Sequence, residues 1–138
     1  MTARDVKPLY VDRGLRILRA AMVLAVSAWL GYQHASYWTI VLVGMVMVAF
    51  EVQARAAQWG ALAREAGWRQ AAPGLIVAFV SQVVFVALFY AAGFSARIAR
   101  SDPPTAALPT LDDLLAIGLT LVVGLAIGEA LRRETPPA

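Results

Sequence analysis

From Ala20 through Phe50 the chain carries no Asp, Glu, Lys or Arg. That stretch exceeds the ~20 residues a helix needs to cross a bilayer's hydrocarbon, and it is just long enough for two crossings. Two further apolar runs follow, within residues 73–93 and 112–131. In lipid the backbone must satisfy its own hydrogen bonds, which leaves only helices and closed barrels. The runs are continuous and do not alternate, so they read as helices. The expected fold is all-α: an integral membrane four-helix bundle, with residues 1–138 forming a single transmembrane domain.

Composition agrees. Of 138 residues, 60% are hydrophobic and only 15% charged, whereas a soluble domain carries about 25% charged residues. Most of the surface must therefore face something other than water, and the lipid bilayer is the expected surrounding. The chain has no cysteine, which excludes disulfides, thiolate nucleophiles and cysteine-ligated zinc or iron–sulfur clusters. His34 is the single histidine, so a multi-histidine metal or haem site is excluded too. No metal and no cofactor are expected. The net charge of +3 and pI near 9.8 are compatible with nucleic acid. The basic residues, however, flank apolar runs, where topology and anionic lipid account for them. No nucleic-acid partner is expected.

The spans are placed at about 15–33, 37–56, 73–93 and 112–131, with the first turn at the polar cluster from Gly31 to Ser36. Charge selects this division. With four spans and an N-in/C-in topology, all but Arg97 and Arg100 of the twelve Lys and Arg residues fall on the inside. One tilted helix over 15–50 leaves a nearly even split, which the positive-inside rule disfavours. Residues 57–70 then form a cytoplasmic connector and 94–111 a periplasmic, proline-rich loop. The small residues around Val26, Ser27 and Ala28 resemble a signal-peptide cleavage region. The apolar run continues past them, so a retained first span is expected. Trp29, Tyr32, Tyr37, Trp38 and Tyr90 are expected at the outer boundary, and Trp59 and Trp68 at the inner one.

Local signals mark helix ends. Pro73 suits the first turn of span three. Thr110 and Asp113 form a capping box for span four, and Arg132 and Arg133 complement its far end. The tail Pro136 to Ala138 is expected to fray. Val52, Ala56, Trp59, Ala63 and Ala66 recur at helical spacing. Span two is therefore expected to extend beyond the membrane, or to bend near Gly60 into a cytoplasmic amphipathic helix.

The candidate functional positions are Glu51, Gln82 and Glu129. Ionisable groups near the membrane interior default to a functional role. Glu51 has Arg55 at i+4, and Glu129 has Arg132 and Arg133 at i+3 and i+4, so interfacial ion pairs are the competing account. Gln82, mid-span, is expected to bond another helix. His34 is read as a hydrated turn residue, with pH sensing as its functional alternative. Arg16 and Arg19 are expected to snorkel to the inner headgroups. The small residues Ala21 and Ala25, and the Gly124 to Gly128 GxxxG, are the candidate helix-packing surfaces, within the bundle or toward another subunit. No catalytic constellation is present in the pattern, so an enzyme is not expected.

Leu15 to Ala21, an apolar span, and then Tyr37-Trp38-Thr39-Ile40-Val41-Leu42-Val43 together resemble the opening of the fusaric-acid-resistance and aromatic-acid-exporter family. The resemblance implies a membrane transporter. It ends before Glu51, where that family continues into a basic third helix, and no transport residue is carried over.

These readings converge on a bacterial-type inner (plasma) membrane protein with both termini cytoplasmic. The expected role is a non-catalytic accessory or assembly subunit of a larger membrane complex. Its expected partners are other membrane protein subunits, or further copies of itself through self-association. The alternative is a small transporter or channel whose pathway forms in a homo-oligomer.

Overall fold

A computed structural model describes residues 3–65, 67–98 and 105–134. Among these the chain forms five helices and no strand: α1 (Ala3–Tyr32), α2 (Trp38–Ala54), α3 (Ala56–Glu65), α4 (Trp68–Ile98) and α5 (Leu111–Glu134). Three of them, α1, α4 and α5, are long and apolar enough to cross a membrane. The bent pair α2 and α3 raises the number to four if it counts as one span. At 1.5 Å per residue the 17 residues of α2 measure about 26 Å, slightly under the ~30 Å of hydrocarbon.

α1 and α4 run one way and α2 and α5 the other, and the four close into a ring in the order α1, α4, α2, α5. Each packs on its two neighbours in that ring. α1 and α2 also touch across the short diagonal, whereas α4 and α5, among the described residues, do not meet. The core is a column of Val23, Leu30, Val43, Val46, Phe50, Val86, Tyr90 and Ile117. The hydroxyls of Ser27, Thr39 and Thr120 are buried with it. Ser27 donates to Val23 O at 2.8 Å, Thr120 to Ala116 O at 2.7 Å and Thr39 to Ser36 O at 2.6 Å. Each hydroxyl bonds a carbonyl three or four residues back, so none enters the apolar interior unsatisfied.

The closest contact is between the parallel helices α1 and α4. A Cβ on Gly31 would collide with the carbonyl of Tyr90, and one on Gly93 with the carbonyl of Ala28. Each glycine thus admits the other helix's backbone, the close approach that small residues allow in membrane helices. Ala21 and Ala25 lie elsewhere on α1, on its exposed side.

Of the two expected courses span two takes the bend, by 83°, but at Arg55 and not near Gly60. Arg55 leaves helical geometry (φ −116°, ψ 29°) while its N–H stays bonded to carbonyls of Glu51 and Gln53. The break therefore loses little hydrogen bonding. α3 turns nearly at right angles to α2, and its Trp59 ring meets α4 at Gly74. Gly67, at φ +76°, makes the return turn in the left-handed region that glycine adopts without strain. α4 starts at Trp68, earlier than the expected residue 73, so Pro73 lies inside the helix in its second turn. Ala66 and Pro136 to Ala138 lie outside the described residues.

At the head of α5 the capping box is formed. Thr110 N–H donates to Asp113 Oδ2 at 2.9 Å and Asp113 N–H to Thr110 Oγ1 at 3.3 Å.

Gly93→Ala is expected to destabilise the fold by roughly 1–3 kcal/mol, the usual range for overpacking. Gly118→Ala, where nothing lies within 4 Å of the new methyl, is expected to stabilise by up to about 1 kcal/mol through helix propensity. Denaturation of both variants in detergent checks the contrast, and shifts of the same sign and size would contradict the close α1–α4 approach.

Candidate functional site

The helical period that puts Val23, Ser27 and Leu30 in the core also carries Arg19 inward. Arg19 is buried at 8% exposure. The snorkelling expected of it does not occur. Its guanidinium turns across the bundle to α2, where Nη1 donates to Gln53 Oε1 at 3.1 Å and Nη2 to Phe50 O at 3.2 Å. The group also lies 4.9 Å from the centroid of the Phe50 ring, within cation–π range. Gln53 Nε2 in turn donates to Leu125 O of α5 at 3.0 Å. One arginine and one glutamine thereby tie three helices together. Among the described residues no carboxylate pairs with Arg19, so its charge is met by neutral acceptors and a ring face.

The glycines of the GxxxG make this possible in an unexpected way. A Cβ at Gly124 would fall inside the Phe50 ring, and one at Gly128 would strike the Gln53 amide and the Arg19 guanidinium. The pair serves as two sockets for side chains, while the backbone-to-backbone approach of this bundle is made by Gly31 and Gly93. Gly93 and Gln53 are positions that the sequence pattern does not single out. A glutamine one turn from the end of an apolar helix, at a level an inward arginine can reach, was the available signal.

Two clefts open beside Arg19 at the end of the bundle where α2 and α5 finish. One, a cavity of about 240 Å³, is lined by Arg16, Arg19, Glu51, Arg55 and Gln82 among others. It brings together two of the three candidate positions, Glu51 from α2 and Gln82 from α4. Glu51 is held by Arg55 at 2.9 Å. Gln82, among the described residues, makes no hydrogen bond to a neighbouring helix, so the interhelical bond expected of it is not formed. The second cleft, of about 100 Å³, lies toward α5 and is lined by Arg16, Arg19, Gln53 and Arg132 with Gly128. Glu129 joins neither cleft. Its carboxylate sits 3.7 Å from Arg132 and 3.4 Å from Arg133 on the surface of α5.

The opposite end is a latch of neutral groups. Tyr90 OH donates to Ala35 O, Ser36 Oγ to Ala107 O at 3.0 Å, and Ala106 N–H to His34 O at 3.1 Å. These bonds pin the α1–α2 turn to α4 and to the segment before α5. Tyr90 is therefore a core residue and not part of an interfacial aromatic belt. His34, expected to be hydrated, is buried at 3% exposure. It takes a left-handed backbone (φ 55°), its ring centroid lies 4.4 Å from that of Phe94, and neither ring nitrogen has a partner. Arg97 donates to Tyr32 O at 3.2 Å, beside the Tyr32 ring.

No protein family, curated protein or solved structure matches this chain. The resemblance of residues 15–43 to the exporter family therefore assigns no family.

Gln53→Leu removes an acceptor from the buried Arg19, which is expected to cost about 1–3 kcal/mol. Combining it with Arg19→Met is expected to recover much of that loss, because an apolar pair replaces an unpaired charge. A double-mutant cycle by denaturation reads the coupling, and strictly additive losses would contradict the three-helix tie.

Proposed function

We propose that the chain is an inner-membrane subunit of four spans, α1, α2, α4 and α5, with both termini cytoplasmic. In this reading α3 lies along the cytoplasmic face. The protein has no catalysis of its own and acts as an accessory or assembly subunit packed against a larger membrane complex. The observation that carries this is the distribution of surface on α4. Only 11% of its most apolar window is buried within the chain. Ile76, Val77, Val80, Val84, Phe85 and Leu88 point outward, forming a continuous apolar face that can meet lipid or another protein. The interior, by contrast, is filled by the valine-rich column, and the polar groups of the Arg19–Gln53 tie bond one another instead of lining a path. Orientation is supported by charge. Arg13, Arg16, Arg55, Arg64, Arg69, Arg132 and Arg133 gather at the end where α1 enters and α5 finishes, as the positive-inside rule requires of a cytoplasmic face.

A second reading, a small transporter or channel working as a homo-oligomer, is favoured by the cleft where Glu51 and Gln82 meet Arg16 and Arg19. Intramembrane polar groups that converge on one cavity are the feature such a pathway needs. Glu129 lies apart from that cleft, which weighs toward the subunit reading.

Purification in mild detergent is expected to bring down stoichiometric, unrelated membrane subunits. A pure homo-oligomer that conducts ions in liposomes would instead establish the second reading. A reporter fused at Ala138 is expected to be active in the cytoplasm only, and periplasmic activity would overturn the orientation.

A further inference from the structure

The two clefts flanking Arg19 differ in charge. The one toward α4 contains Glu51, already paired with Arg55. The one toward α5 is lined by Arg16, Arg19 and Arg132, with Gln53 and Gly128, and among the described residues its wall contains no Asp or Glu. We propose that this second cleft is a phosphate-binding site, occupied by the headgroup phosphate of an acidic phospholipid or by a free phosphate anion.

Three observations carry the inference. First, guanidinium groups from two helices, α1 and α5, converge on one small cavity, and planar forks of N–H donors match phosphate oxygens better than point charges do. Second, the innermost of them is preorganised. Arg19 is more than nine-tenths buried and its plane is fixed by Gln53 and Phe50. Those two bonds use two of the five N–H donors of a guanidinium, and a buried cation whose contacts are neutral gains most from an anion at low dielectric. Third, the cavity depends on Gly128, where any side chain would meet Gln53 and Arg19. Arg132 is available at the rim. Its side chain is 61% exposed, and its contact with Glu129 is 3.7 Å long, on a carboxylate that Arg133 approaches at 3.4 Å. Basic pockets between membrane helices on the cytoplasmic side recognise acidic headgroups by this chemistry. The inference stands independently of the accessory role.

The test uses the full chain in a neutral detergent, with the melting temperature followed during titration. The titrants are short-chain phosphatidylglycerol, short-chain phosphatidylcholine and inorganic phosphate. Saturable stabilisation by phosphatidylglycerol but not phosphatidylcholine is expected, since a ligand bound only to the folded state raises its melting temperature. Arg132→Gln and Arg16→Gln, both at exposed positions, are each expected to raise the half-saturating concentration about tenfold, the loss of one charge-assisted hydrogen bond. Arg133→Gln removes the same charge outside the cleft and is expected to leave it unchanged. Stabilisation by phosphatidylglycerol alone identifies a lipid headgroup. Stabilisation by inorganic phosphate with the same arginine dependence identifies a free anion. No saturable effect from either, or an equal loss in Arg133→Gln, would overturn the site.

Discussion

The backbone contact between Gly31 and Gly93 sets the geometry on which the rest of the bundle depends. Lipid tails are as apolar as leucine, so helices in a bilayer gain little by burying apolar side chains against one another. What remains is close packing and polar bonding. Two glycines facing each other let α1 and α4 approach until carbonyls fill the space where Cβ atoms would stand. That approach brings Tyr90 within reach of Ala35 and lays Phe94 against His34. It also sets Arg97 beside Tyr32. The α4 side of the latch follows from the crossing, because Tyr90 and Phe94 lie within one turn of Gly93.

The other end solves a different problem. A guanidinium inside a membrane bundle keeps its charge, so it needs acceptors that stay with it. Arg19 has them from one helix, and Gln53 relays the connection to a second through the Leu125 carbonyl. A direct carboxylate partner would bring its own desolvation cost. Neutral acceptors with an aromatic face avoid that cost while leaving the local field positive. The same choice explains why two glycines of α5 face side chains. Phe50 and the Arg19–Gln53 pair are too large to sit against any side chain at 124 or 128.

The helical class, the four apolar segments, the capping box of Thr110 and Asp113 and the local ion pairs of Glu51 and Glu129 were legible from spacing alone. Each depends on residues no more than one turn apart, or on the length of an apolar run. The α1–α4 contact was not legible, because it joins Gly31 to Gly93 across two intervening helices, and a glycine in a membrane helix gives no sign of which partner it faces. The inward turn of Arg19 is hidden for a related reason. An arginine at the edge of a span can snorkel outward or turn inward, and the choice rests on Gln53 and Phe50, more than thirty residues away. A histidine in a turn reads as hydrated because turns generally lie at surfaces, yet the segment around Ala106 and Ala107 covers His34. The bend at Arg55 and not Gly60 follows the same pattern. The break came where the chain must redirect to lay Trp59 on Gly74, not where propensity is weakest.

Taken together, the two ends imply a division of labour among the helices. α1 and α2 face each other across the short diagonal and supply most of the fully buried side chains; α1 carries the polar anchor Arg19, and the turn between the two helices carries Ser36. α4 and α5 flank them on opposite sides and never meet among the described residues, so each turns a broad apolar face away from the bundle. A chain that needed only to fold could close its ring more evenly and reduce that outward surface. Here the close contacts are concentrated on one seam, at Gly31 and Gly93, and one polar tie, at Arg19 and Gln53. That arrangement leaves the outward face of α4, from Ile76 to Leu88, clear of the interactions that hold the bundle together.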